Sequence, residues 1–280
     1  MNRVALWFRI VRPQTLFASL CPVLVALLAM EGPVTSATVA AVTIACALAL
    51  QILSNLINDY YDFRRGTDKK GRAGFRRALA EGEVSERQML TACLITLGVC
   101  VVCGLYLIYI GGWVILAIGA TALLFAWLYT ATSHSLSYLG IADIFVFLYY
   151  GVIAACGTSY LQSGVYEWRV FEAGAVCGLI SMCVLLINNL RDIDDDRQVG
   201  KRTLPVRFGR GAGLGLMLCV VLLMPVMAYL AFGMSLPMLV VLPALCLFVA
   251  VTKAQGTTFN KCLVAAGLIN VLYTVLVAIH

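Results

Sequence analysis

The sequence predicts an all-α, polytopic membrane protein of about nine transmembrane helices around a central cavity, and three observations predict it. Of its 280 residues, 62% are hydrophobic and only 12% are charged, whereas a soluble domain carries roughly a quarter charged residues. Apolar runs of about 16 to 24 residues recur along the chain, each long enough to cross the hydrocarbon core of a bilayer. The basic residues fall almost entirely on one side of the threading that those runs impose.

In chain order the runs are Thr15–Met30, Ser36–Ile57, Met89–Ile110, Trp113–Tyr129, Tyr138–Leu161, Val170–Leu190, Leu214–Phe232, Leu236–Thr252 and Cys262–Ile279. The first follows Arg3, Arg9 and Arg12, and no small-residue cleavage site marks it as a removable signal. The second ends in an acidic cluster and a long basic loop, about Phe63–Gln88. The third and fourth are separated only by the tight turn Gly111-Gly112. The sixth ends in a second acidic cluster and a second basic loop, about Arg191–Ala212, and the remaining connections are short. With this threading, Arg169 is the one basic residue left on the far side. The bias puts the N-terminus and both acidic segments in the cytoplasm and His280 outside, as expected for the inner, cytoplasmic membrane of a cell.

The net charge of +6 is therefore a statement about topology. Nucleic acid is not the expected partner, because the basic loops hug a membrane and lack interleaved aromatics for base stacking. The eleven cysteines lie mostly inside the runs, where cysteine acts as a small apolar residue. Cys100 and Cys103 have zinc-like spacing, but no second pair or histidine accompanies them. No separate soluble region is visible, so residues 1–280 are expected to form a single transmembrane domain. The second and sixth runs look like equivalent members of two halves, an arrangement that places a site at the interface between halves.

The two acidic segments carry the chemistry. The first contains Asn55, Asn58, Asp59, Asp62 and Asp68; the second contains Asn188, Arg191, Asp192, Asp194, Asp195 and Asp196. Side chains three, four and seven residues apart share a helix face. Asn55, Asn58 and Asp62 then form one stripe with Asp59 at its edge, while Asn188, Asp192 and Asp196 form another with Asp195 beside it and Asp194 pointing away. Like charges at four-residue spacing destabilise a helix unless a cation neutralises them. Mg²⁺ prefers hard oxygen ligands and usually binds through a few carboxylates plus substrate phosphates. Two such stripes across a cavity would hold a diphosphate through bridging ions, with Arg64, Arg65, Lys69, Lys70, Arg76, Arg77, Lys201 and Arg202 available for phosphate oxygens. A lone Asp at a helix end is ordinarily a cap, and for Asp68 and Asp194 both readings stand. Tyrosines such as Tyr129 either line a cavity, offering ring faces to a cation, or anchor the chain at the interface. His134 reads as a solvated loop residue. A cation-coupled transporter could also use intramembrane acids, but acids at helix ends beside basic loops suit a phosphate ligand better.

These residues make the chain resemble the UbiA superfamily of intramembrane aromatic prenyltransferases. Its first motif, NDxxDxxx(D/G), is matched by Asn58-Asp59-Tyr60-Tyr61-Asp62-Phe63-Arg64-Arg65-Gly66, and its DxxxD motif by Asp192 through Asp196. Finer features are similar to the branch that prenylates 1,4-dihydroxy-2-naphthoate in menaquinone synthesis: Arg12-Pro13-Gln14-Thr15, Asn188-Asn189-Leu190-Arg191-Asp192 and Gly200-Lys201-Arg202-Thr203. Gly66 stands where the 4-hydroxybenzoate branch usually has a third Asp. The resemblance implies Mg²⁺ on Asn58, Asp62, Asp192 and Asp196, assistance from Asp59, Asp195 and Lys201, and substrate contacts from Asn55, Asn58, Arg64, Lys69, Tyr129, Asn188, Arg191 and Lys201. The implied substrates are a polyprenyl diphosphate and an aromatic acceptor, with demethylmenaquinone and CO₂ as products.

Overall fold

The structure, a computed structural model, describes residues 2–66, 77–128 and 140–280. Every regular element among them is helical, as a chain crossing lipid requires, because an α-helix pairs its own backbone polar groups. Helix α1 (Arg3–Val11) starts at Asn2, whose Oδ1 accepts from the Val4 amide at 3.2 Å. Arg12 then takes a left-handed conformation (φ 55°), and α2 (Pro13–Ala29) departs at 49° to α1. Pro13 suits that start, since its fixed φ is helical and its missing N–H is not needed in the first turn. The α1 segment was not among the expected spans, because nine residues carrying two arginines make no transmembrane signal. Val4 and Phe8 are exposed on it.

Helix α3 (Ala37–Arg64) is capped by Ser36 and ends in the first acidic cluster. Helix α4 (Glu86–Leu128) has 43 residues, about 65 Å of helix, roughly twice the hydrocarbon thickness. At Gly112 its backbone leaves helical geometry (φ 64°, ψ −149°), so the expected turn becomes a break between two membrane-length pieces. Tyr109 and Trp113 stand exposed beside that break. Helix α5 (Ala142–Ser163) contains one π turn, Leu148–Val152. Helix α6 (Trp168–Arg191) begins at an exposed Trp168 and ends at the second acidic cluster. After Asp192 come the short α7 (Ile193–Gln198), α8 (Leu204–Phe232, broken at Gly209), α9 (Leu236–Lys253, opening as a 3₁₀ turn) and α10 (Thr258–Ala278). Among the described residues seven helices are long and apolar enough to cross a membrane, and the bent pair α1–α2 makes an eighth candidate.

Helix α6 is the most buried of these, packed against α2, α5, α8 and α10. Its seam with α5 is glycine-made. A Cβ on Gly151 would lie 2.6 Å from the Gly178 Cα, and one on Gly178 would lie 2.5 Å from the Phe147 carbonyl oxygen. Only glycine lets the backbones approach this closely, and the π turn of α5 sits at that crossing. Outward-facing Leu94, Ile95, Val102, Leu105, Leu222 and Leu230 present the apolar surface that lipid would cover. Helices α2 to α6 and α10 enclose a cavity of about 420 Å³, lined toward the ends of α3 and α6 by Asn58 and Arg191, next to the acidic clusters.

Candidate active site

The cavity is mostly apolar along its length and charged at one end. Val23, Leu107, Ile115, Phe125 and Leu185 line the interior, whereas Arg12, Asn55, Asn58, Arg77, Asn188 and Arg191 line the mouth. An amphiphile with an anionic head fits such a division.

On α3 the expected stripe forms, and its members differ in what they do. Asn55 is buried and already engaged: its Nδ2 donates to the Val11 carbonyl at 3.1 Å and the Thr15 hydroxyl at 2.9 Å, tying α3 to the α1–α2 bend. Asn58 lines the cavity with a buried Oδ1 that has no hydrogen-bond partner, which leaves an oxygen ligand available there. Asp62 is buried at the same helix end. Asp59 is only 3% exposed, and its Oδ1 accepts from both Arg12 and Arg77. It binds two guanidiniums that themselves line the cavity, so it acts on the site through them. Arg64 is exposed and lies back over the Tyr60 ring, 5.9 Å from its centroid, rather than at the mouth. Lys69, Asp68, Tyr129 and His134 lie outside the described residues.

On the opposite wall, Asn188 lines the cavity and donates to the Val184 carbonyl at 3.2 Å. Arg191 grips Asp192 in a fork, with Nε and Nη2 each 2.7 Å from a carboxylate oxygen, and its Nη1 donates to Asn260 at 2.9 Å. Such paired, charge-assisted bonds fix orientation as well as adding strength. Asp196 is buried and its Oδ1 lies 3.1 Å from Lys201 Nζ. The helix breaks at Asp192, yet the Asp196 amide still donates to the Asp192 carbonyl at 2.8 Å. The four-residue step therefore survives the break, and both carboxylates stay buried. Asp194 points away as expected, pairing with Arg197 at the surface. Asp195 departs from expectation: it is exposed on α7 rather than beside the stripe, because the backbone leaves helical geometry at Asp192 between the two helices.

The expectation that these acids need a bound cation to be tolerated is only half met. Asp59, Asp192 and Asp196 each have a protein counter-ion, which is the usual condition for burying a charge. Among the described residues no three acid, His or Cys side chains cluster closely enough to hold a metal alone. Hard oxygens from Asn58, which lines the mouth, and from the buried Asp62, Asp192 and Asp196 on the adjoining helix ends still fit Mg²⁺, which takes few protein ligands and completes its shell with water and phosphate. Sequence reasoning missed Asn260, Gln51, Ser181 and Asn270. The last three are polar residues inside apolar spans, and that contrast was the available signal.

A model of the UbiA prenyltransferase family matches residues 19–274. The chain is 35% identical over 219 residues to the 1,4-dihydroxy-2-naphthoate octaprenyltransferase of Escherichia coli (strain K12), a match covering 75% of this chain and 70% of that protein. It is 36% identical over 216 residues to the 1,4-dihydroxy-2-naphthoate octaprenyltransferase of Mycobacterium leprae (strain TN), covering 75% and 71%. Among solved structures, a UbiA homolog from Archaeoglobus fulgidus bound to GPP and Mg²⁺ has a TM-score of 0.71 at 18% identity, covering 98% of this chain and 99% of that one. At that identity the likeness is one of fold.

Proposed function

The chain belongs to the UbiA prenyltransferase family, and we propose that it transfers a polyprenyl group from polyprenyl diphosphate to 1,4-dihydroxy-2-naphthoate with loss of CO₂, giving the prenylated naphthoquinol, the reduced form of demethylmenaquinone. The observation that carries this reading is the cavity itself: two acid-bearing helix ends and three arginines frame one mouth above an apolar interior. A diphosphate belongs at that mouth and an isoprenoid tail below it. The names of the relatives support the acceptor. The basic-residue distribution supports a cytoplasmic mouth and N-terminus.

In this reading Asn58, Asp62, Asp192 and Asp196 hold Mg²⁺, which when bound supplies charge neutralisation for the diphosphate. Arg12 and Arg77, held by Asp59, and Arg191, held by Asp192 and Asn260, aim guanidiniums at phosphate oxygens. The donor C–O bond breaks with its electron pair leaving on diphosphate, and the apolar walls keep water from the allylic cation. The ring carbon bearing the carboxylate forms the new C–C bond, and CO₂ departs, returning its bonding pair to the ring.

The test is purified protein with Mg²⁺ and a polyprenyl diphosphate, offered dihydroxynaphthoate and 4-hydroxybenzoate in parallel, with products identified by mass. A decarboxylated prenyl naphthoquinol is expected from the first. Prenyl hydroxybenzoate alone would move the protein to the other acceptor class. Full Mg²⁺-dependent activity in both Asp62→Ala and Asp192→Ala would overturn the assignment of the mouth.

A further inference from the structure

Below the charged mouth the cavity has a second polar level that donor binding does not explain. Gln51 on α3, Ser181 on α6 and Asn270 on α10 all line it. They are 7%, 4% and 2% exposed. The Gln51 Oε1, the Ser181 hydroxyl and the Asn270 Oδ1 are buried with no hydrogen-bond partner. A buried polar atom is costly wherever nothing pairs with it. Three of them on three helices around one cavity mark a place where a ligand's polar groups belong.

Their depth is common. Gln51 lies about two helical turns below Asn58, and Ser181 about two turns below Asn188, roughly 10 Å in each case. Helix α10 runs the opposite way: Asn270 lies about three turns, roughly 15 Å, below Asn260, and Asn260 meets Arg191, which itself sits about 5 Å above Asn188. Helix α10 is pressed onto α2 about one turn nearer the mouth, where a Cβ on Gly267 would come 3.2 Å from the Gln14 carbonyl oxygen. Aromatic walls adjoin the same space: Phe125 packs on Phe145 and Tyr149, with ring centroids 4.4 and 5.0 Å apart, and all three line the cavity.

We infer that Gln51, Ser181 and Asn270 form the seat for the ring hydroxyl of the aromatic acceptor that lies farthest from its carboxylate, an inference that rests on the prenyl-transfer reading. A prenyl tail has no hydrogen-bonding group and would leave all three as costly as before. A carboxylate belongs higher, with the arginines. Carboxamide oxygens accept from hydroxyl donors and a serine hydroxyl gives or takes; the Gln51 Nε2 already donates to the Asn55 Oδ1 at 3.4 Å, which leaves its oxygen for a ligand. The matching ligand is a flat ring with a hydroxyl remote from its carboxylate, as the 4-hydroxyl of 1,4-dihydroxy-2-naphthoate is. Sites built to bond a hydroxyl reject the analogue that lacks it, because their own polar groups are then left unpaired.

The test compares binding of 1,4-dihydroxy-2-naphthoate and 1-hydroxy-2-naphthoate by calorimetry on the full chain in detergent, for wild type, Asn270→Leu, Ser181→Ala and Gln51→Leu. Wild type is expected to prefer the dihydroxy form by at least about a hundredfold. Each variant should lose about tenfold or more of that preference, while KM for polyprenyl diphosphate and the melting temperature stay put. Ser181→Ala, a minimal change, serves if a larger one does not fold. A preference unchanged in all variants overturns the seat, as does a rise in donor KM instead, which would make these residues tail contacts. If wild type transfers no prenyl group yet keeps the binding preference and the variants lose it, the reaction falls and the seat stands. If wild type shows no preference, the seat falls whatever the activity.

Discussion

Replacing Asp59 by Asn separates a residue that positions arginines from one that binds metal. The carboxylate is 3% exposed, and the Arg12 and Arg77 side chains it serves are 13% and 15% exposed, so solvent screens the cluster little. At an effective dielectric near 20, each contact is worth ~4 kcal/mol in Coulomb terms. Desolvation of three ions and repulsion between the two guanidiniums take back part of that sum. Removing the shared partner of a buried charge cluster accordingly costs about 3–5 kcal/mol. Asn keeps the shape and one acceptor oxygen, so the loss should be almost wholly electrostatic. A thermal unfolding scan in detergent should show the melting temperature falling by about 6 °C or more. The double variant Asp59→Asn/Arg77→Met should recover part of the loss, since it removes one of the stranded cations. Donor KM should rise along with the instability, because the loosened guanidiniums line the mouth. A melting temperature within about 1 °C of wild type, together with a raised half-saturating Mg²⁺ concentration, would refute this account and make Asp59 a metal ligand.

Four other outcomes are expected. Asp195→Ala should keep activity within about twofold while Asp196→Ala loses on the order of a hundredfold, measured as initial rates at saturating donor; equal losses would mean that exposure is no guide here. Arg191→Lys keeps the charge but not the fork on Asp192, so the Mg²⁺ requirement should rise about 10–100-fold, as for other groups that orient ligands. Gly178→Ala puts a methyl against the Phe147 carbonyl oxygen and should cost about 1–3 kcal/mol, read as a lower melting temperature. Removing divalent ions with a chelator should abolish turnover, and adding Mg²⁺ back should restore it.

The spans were legible because crossing a bilayer demands a length of apolar sequence that little else imitates. The α5–α6 seam was not, because Gly151 and Gly178 become informative only when their helices are known to meet. Helical phase picked out Asp192 and Asp196 correctly as buried neighbours and misplaced Asp195, because a sequence does not announce that a helix stops at Asp192 and a new one begins. The partners of the acids were the hardest part. Arg12 reaches Asp59 across 47 residues and Asn260 reaches Arg191 across 69, separations at which no periodicity operates. The sequence placed cations near acids only as a topological bias, whereas the fold makes specific pairs of them.

Helix α6 carries a ruler for one kinetic consequence. From exposed Trp168 at its start to the acidic cluster at its end, 24 residues span about 36 Å, slightly more than the ~30 Å of hydrocarbon. Interfacial aromatics settle at the headgroup level, and Tyr109 and Trp113 stand exposed beside the Gly112 break. With Trp168 settled there, the mouth rides at the headgroup layer of the opposite leaflet. An amphiphilic donor at that mouth keeps its phosphates among headgroups and its tail in oil, leaving neither solvent for the other. Capture becomes a two-dimensional encounter governed by the donor's mole fraction in the membrane. Adding inert lipid at constant donor and enzyme should slow turnover by surface dilution, although nothing in the bulk solution has changed.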